Sequence, residues 1–222
     1  MLENNKNLFP SPDFLVAKML SKVDFRNKQV KNILEPSAGL GHIIDYINKD
    51  LNRYKSYNIS AIEIDNKCRN QLLLKNINVI DSDFLLYNGL EQFDLIIANF
   101  PFSDGDKHLH KAIDIMFSGQ IVCLINAETI KNPFSNSRKE LIQKLKRLNA
   151  SIEFIENAFV DAERKTGVEV ALIYIQKYQN VETEIFNDMT QNEDTFEDLQ
   201  ESKEVATRDN IRNIVQRYNQ DK

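Results

Sequence analysis

The chain has 222 residues, 42% of them hydrophobic, enough to bury the core of one ordinary domain with a short appendage left over. It contains no apolar run of about 18 residues, and Met1 to Phe9 has neither the basic flank nor the apolar stretch of a signal peptide, so the expectation is a soluble, cytoplasmic protein with no membrane partner. The net charge of -5 is uneven: residues 1–178 hold 23 Lys+Arg against 22 Asp+Glu and residues 179–222 hold 5 against 11, so the body is not acidic and nucleic acid is not excluded as its partner.

In chain order, Ser11 is placed to cap an N-terminal helix over residues 12–23, with Pro12 at its first position. From residue 30 onward, short runs rich in Ile, Val and Leu alternate with segments of helical period, the pattern of a parallel sheet covered by helices. Strands are predicted at 30–35, 59–64, 79–80, 95–99, 120–126, 152–156 and 171–176, and helices at 41–51, 67–75, 107–117 and 136–148. Residues 158–168 leave no room for a crossover helix, so the last two strands are expected to pair antiparallel. The fold class is therefore α/β: a Rossmann-like, doubly wound, seven-stranded, mostly parallel sheet with its last strand antiparallel. Cys68 and Cys123 lie in helical and apolar surroundings without CxxC spacing and are expected to be reduced, buried filler.

The body is expected to be one domain over residues 1–178. Residues 180–204 are acidic and polar and are read as a linker. Ile211, Ile214, Val215 and Tyr218 then recur at i, i+3, i+4 and i+7 as an amphipathic helix. A stripe that narrow needs a partner, so docking on the body or homo- or hetero-oligomer formation is open to it. Basic residues gather at Arg138, Lys139, Lys144, Lys146 and Arg147, and at Arg164 and Lys165, where they meet either phosphates or only solvent.

The first strand runs into Glu35-Pro36-Ser37-Ala38-Gly39-Leu40-Gly41-His42, whose glycines permit a tight turn and close backbone approach to a ligand beside a helix N-terminus. Ile44 stands where the dinucleotide fingerprint has its third glycine, and the GKS/T of a P-loop is absent, so pyrophosphate is not the expected guest. About twenty residues later the second strand ends in AIEID, bringing a carboxylate to where ribose hydroxyls would be held. After the third strand, DSDFL offers Asp83 as an acceptor for an exocyclic amine and Phe84 as a cover for its ring; singly, Asp65, Asp81 and Asp83 also fit turn formers and caps. Glycine turn plus ordered carboxylates together indicate a nucleoside cofactor.

The succession ILEPSAGLG, AIEID, DSDFL and Asn99-Phe100-Pro101-Phe102 resembles the ordered motifs of N6-adenine DNA methyltransferases of the short phage, plasmid and mobile-element type. Class I methyltransferases have a doubly wound sheet with one antiparallel strand, as expected here. The resemblance implies S-adenosylmethionine as cofactor. It implies that Phe9, Pro10 and Ser11 border its methionine end, that Glu35, Pro36, Ala38, Gly39 and Gly41 line its amino-acid part, that Glu63 and Ile64 hold its ribose, and that Asp83 and Phe84 hold its adenine. It further implies that Asn99 to Phe102 form the catalytic tetrapeptide.

An adenine N6 amine is a poor nucleophile because its lone pair is delocalised, and two acceptors on its N–H groups favour a pyramidal nitrogen. Asn99 Oδ1 and the Phe100 carbonyl would be those acceptors, Pro101 would stiffen the backbone, and Phe102 would cover a base taken out of its stack, with Phe159 either on the base's other side or packed in the core. The family usually has proline where this chain has Phe100, a pattern also similar to that of ribosomal RNA adenine dimethyltransferases. RNA adenine or protein glutamine methylation, or a non-catalytic cofactor-binding subunit, are the alternatives. Asp104, Asp106, His108 and His110 straddle a loop and a helix start, where acidic residues cap and histidines lie on the surface, so no metal site is expected.

Overall fold

The computed structural model describes residues 10–26, 30–51, 56–159 and 168–178. Phe9, the pair Arg164 and Lys165, the acidic segment and the C-terminal amphipathic stripe lie outside them. The first helix, α1 (Asp13–Ser21), precedes β1 (Asn32–Glu35), α2 (His42–Asp50), β2 (Asn58–Ile62), α3 (Asn66–Leu74), β3 (Asn78–Asp81) and β4 (Leu95–Asn99). There follow α4 (Gly105–Ile115), β5 (Gly119–Asn126), α5 (Glu128–Lys131), α6 (Asn136–Arg147), β6 (Ser151–Ile155) and β7 (Val170–Lys177).

The strands form one sheet in the order β3-β2-β1-β4-β5-β7-β6. The pairs β1–β2, β2–β3, β1–β4 and β4–β5 are parallel, and β7 runs antiparallel to both β5 and β6. Strand order reverses between β1 and β4, so the loops leaving these two neighbours part to opposite faces and open a crevice at their carboxyl ends.

Alternate residues of each central strand serve opposite faces of the sheet. Ile96, Ala98, Ile121, Cys123 and Ile125 meet Leu109, Ala112 and Ile113 of α4 and Leu141 and Leu145 of α6. Leu95, Ile97, Val122 and Leu124 meet Leu15, Val16 and Met19 of α1 and Ile43 and Ile47 of α2. Burial on both faces explains why these strands read as unbroken apolar runs. Cys68 and Cys123 are both free thiols in buried positions, and burial pushes Cys68 up to about 12 and Cys123 higher still.

Within the core, the fully buried Gln120 accepts from the Asp24 backbone N–H at 2.7 Å and the Tyr174 hydroxyl at 2.9 Å, and donates to the Asp24 carbonyl at 3.2 Å. These bonds tie the segment after α1 to β5. Two local expectations need correction. The cap of α1 is Pro12, with no side-chain bond, and Ser11 turns inward instead. The four-residue α5 has no counterpart among the predicted elements, being too short to display a period.

Candidate active site

At the end of β1 the chain makes the turn that carries Glu35 to Gly41. Gly41 is left-handed at φ 83° and precedes α2. Its dihedral favours glycine, and a Cβ there would also press on the side-chain ends of Leu72, at 2.9 Å from Cδ2, and Ile77, at 3.2 Å from Cδ1. The Ala38 N–H donates to the Ile62 carbonyl at 3.1 Å, holding the turn against the end of β2. The buried Glu63 carboxylate accepts from Gly39 N at 2.6 Å and from Asp65 N at 2.8 Å, and so is aimed along the turn.

These groups border one cavity of about 350 Å³ at the carboxyl ends of the strands, a size ordinary for small-molecule sites. Pro10, Ser11, Glu35, Pro36, Ala38, Gly39, Glu63, Ile64, Asp83, Phe84, Asn99, Phe100 and Pro101 all line it, as do Asp104 and His108; Gly41 stands behind the turn. Asp65 is placed elsewhere, capping α3 by accepting from Lys67 N and Cys68 N. Asp81 serves its own turn by accepting from Ser82 N at 2.6 Å, whereas Asp83 both accepts from Leu85 N at 2.8 Å and borders the cavity.

Glu35 is the most confined charge of the site. It is 2% exposed, and its Oε2 has no hydrogen-bond partner among the described residues. Burial, and then the charge of Glu63, hold its carboxyl well above the usual carboxylate range, opposed by the Ile44 backbone N–H. Such an acceptor is costly unless something satisfies it.

Across the crevice, β4 ends at Asn99, whose Nδ2 donates to Ser11 Oγ at 3.1 Å. In this arrangement Oδ1 is the end of the amide left as acceptor. The Phe100 N–H donates to the Leu124 carbonyl at 3.0 Å, and its fully buried ring packs against both Phe84, at 6.2 Å and 14° between planes, and His108, at 5.5 Å. Packing and this backbone bond thus restrain the tetrapeptide where a proline is the family's usual means. Phe102 is half-buried outside the cavity lining, with its ring 5.9 Å from Phe159 and edge-on to it. Phe159 is fully buried. Of the two readings open to it, a cover for the base or a core residue, its burial fits the second, and its ring packs edge-on to Phe102.

The four residues considered as a metal set have separate attachments. Asp104 pairs with Lys107 at 2.7 Å, Asp106 accepts from Ser137 Oγ at 2.8 Å, and His110 Nε2 lies 3.0 Å from the Ser137 carbonyl. His108 is not the surface residue expected. It is partly buried, lines the cavity, and its Nδ1 lies 2.9 Å from the Asp104 carbonyl. The sequence held a signal for this: His108 falls three residues after Gly105 and four before Ala112, on the stripe that α4 buries.

No family model matches the chain. It is 26% identical over 185 residues to the type II methyltransferase M.AccI of Acinetobacter calcoaceticus, a match that covers 79% of this chain and 33% of that protein. The chain therefore spans about a third of the length of this curated relative. Among solved structures, it is similar to a methyltransferase subunit of a type I restriction-modification system from Streptococcus thermophilus, with a TM-score of 0.60, 12% identity, and 76% of this chain and 45% of that one covered. It is also similar to a class I S-adenosylmethionine-dependent methyltransferase assigned in Listeria monocytogenes, with a TM-score of 0.58, 15% identity, and 77% and 60% covered. The fold is the class I methyltransferase fold. In that fold the crevice between β1 and β4 is where Glu35 and Asn99 face each other across the cavity.

Proposed function

We propose that the protein transfers a methyl group from S-adenosylmethionine to an exocyclic amino nitrogen, the N6 of adenine in DNA. The observation that carries this reading is the pairing, in one cavity at the strand-order switch, of an Asn99 amide hydrogen-bonded to Ser11 with a buried Glu35 oxygen that has no described protein partner. The residues fit the cofactor by their chemistry. Glu35 Oε2 would take the α-ammonium, which relieves its own confinement. Glu63, aimed along the Gly39 turn, would accept from the ribose hydroxyls, and Asp83 with Phe84 would hold the purine. When bound, S-adenosylmethionine supplies a sulfonium-activated methyl electrophile.

The chain's own part is positioning and electrostatics. Asn99 Oδ1 and the Phe100 carbonyl accept from the two N–H groups of the target amine, and the held geometry turns its lone pair toward the methyl carbon. Phe102, braced by Phe159, offers a flat face to the unstacked base. The likeness to a type II methyltransferase supports DNA as the acceptor. Beyond the tetrapeptide, Phe134 is 78% exposed with the Arg138 guanidinium 4.4 Å over its ring, a pair suited to nucleotides flanking the target.

The test is methyl transfer from radiolabelled S-adenosylmethionine to duplex DNA, single-stranded DNA, RNA and protein in separate reactions, with Asn99→Ala as control. Label in DNA adenine that disappears in the variant is the expected result. Label in RNA or protein replaces the substrate, and cofactor binding without transfer, unchanged by Asn99→Ala, overturns the catalytic reading.

A further inference from the structure

We infer that His108 is a specificity-determining residue of the cofactor pocket, accepting a hydrogen bond at Nε2 from the exocyclic amine of the purine that lies against Phe84. The inference deepens the proposed function and rests on its placing of the cofactor's purine near Asp83 and Phe84. A carbonyl oxygen can only accept, so the 2.9 Å contact with Asp104 O puts the ring proton on Nδ1. Nε2 then carries a lone pair, and no described residue bonds to it. The ring is held in place by Phe84 at 5.9 Å and Phe100 at 5.5 Å between centroids, and it borders the same cavity as Asp83. Burial lowers its pKa, against the Asp104 carbonyl and the charges of Asp104, Asp83 and Asp106, so the neutral, accepting form is favoured. A purine amine has two N–H groups, and Asp83 and His108 together provide an acceptor for each.

The experiment compares S-adenosylhomocysteine with S-inosylhomocysteine, which has a carbonyl in place of the amine, by calorimetric binding to wild type, His108→Phe and His108→Gln. His108→Phe keeps a ring against Phe84 and Phe100 but removes the acceptor; His108→Gln keeps an acceptor at similar reach. The expected result is that the preference of wild type for the adenosyl over the inosyl ligand falls about three- to tenfold in His108→Phe and is largely restored in His108→Gln. Equal weakening of both ligands, or an unchanged preference, overturns the assignment and leaves His108 as packing. Failure of wild type to bind either ligand is a different outcome: it removes the proposed function on which the inference stands. Melting temperatures of both variants separate misfolding from lost recognition.

Discussion

Replacing Glu35 by glutamine should raise the stability of the ligand-free protein and lower its affinity for the cofactor. The carboxyl is 2% exposed, its Oε2 lacks a described partner, and burial followed by the Glu63 charge raises its pKa. At pH values below the ordinary glutamate value of about 4.3, both folded and unfolded chains carry the proton and the group costs nothing. As pH rises the unfolded chain ionises first, so the folded state loses relative stability until the raised native pKa is passed, and the loss is constant thereafter. Glutamine has the same shape and no charge to desolvate, and its amide is attracted to Glu63. Relief of an unsatisfied buried acceptor is worth about 1–3 kcal/mol, or a melting point higher by about 3–9 °C at pH 7, with the difference closing toward pH 4. The ammonium of the cofactor would lose a charged hydrogen bond worth about 1.5–3 kcal/mol, a fall of roughly 10- to 150-fold in affinity. Thermal melts with and without S-adenosylhomocysteine, across pH 4 to 8, read both effects. A variant that melts lower than wild type at pH 7 and binds the ligand equally well would refute the reasoning, because Glu35 would then be a structural group.

Phe100→Pro, which introduces the residue usual in the resembled family, should cost about 3–5 kcal/mol here, since it empties the space beside Phe84 and His108 and removes the bond to Leu124. A urea midpoint unchanged from wild type would show that packing does not hold the tetrapeptide. Ser11→Ala should leave the melting point nearly unmoved, because Ser11 makes no cap bond to α1, while removing one hydrogen bond that holds the Asn99 amide and lowering kcat about three- to tenfold. The reverse pattern, a lower melting point with kcat intact, would restore Ser11 to the helix. Gln120→Leu removes three hydrogen bonds, two to the Asp24 backbone and one from the Tyr174 hydroxyl, and should destabilise by about 1–3 kcal/mol in the same urea assay, with cofactor affinity retained.

The contrast between Ser11 and Asp65 shows where sequence reasoning reaches and where it stops. Both are short polar residues before a helix, and local rules make each a cap. Asp65 caps α3 as those rules require. Ser11 lies one residue outside the cap position, which Pro12 holds, and its hydroxyl bonds instead to Asn99, 88 residues away. His108 diverges in the same way. It sits at a helix start, where a histidine reads as surface, but α4 carries it across to Phe84 and the cavity.

The sheet was far more legible than these side chains, because burial on both faces writes itself into each strand as an apolar run, and Leu95–Asn99 coincides residue for residue with its prediction. Phe159 marks the opposite limit: an aromatic beside a proposed target cleft carries no label that separates a face open to a base from a face closed by the core, and only the packing under Phe102 decides it. Local rules thus hold where a residue answers to its own element and fail where a polar group answers to another. Ser11 and His108, the two polar residues that depart from them, both line the cavity at the carboxyl ends of β1 and β4, the point at which the reversal of strand order brings distant segments together.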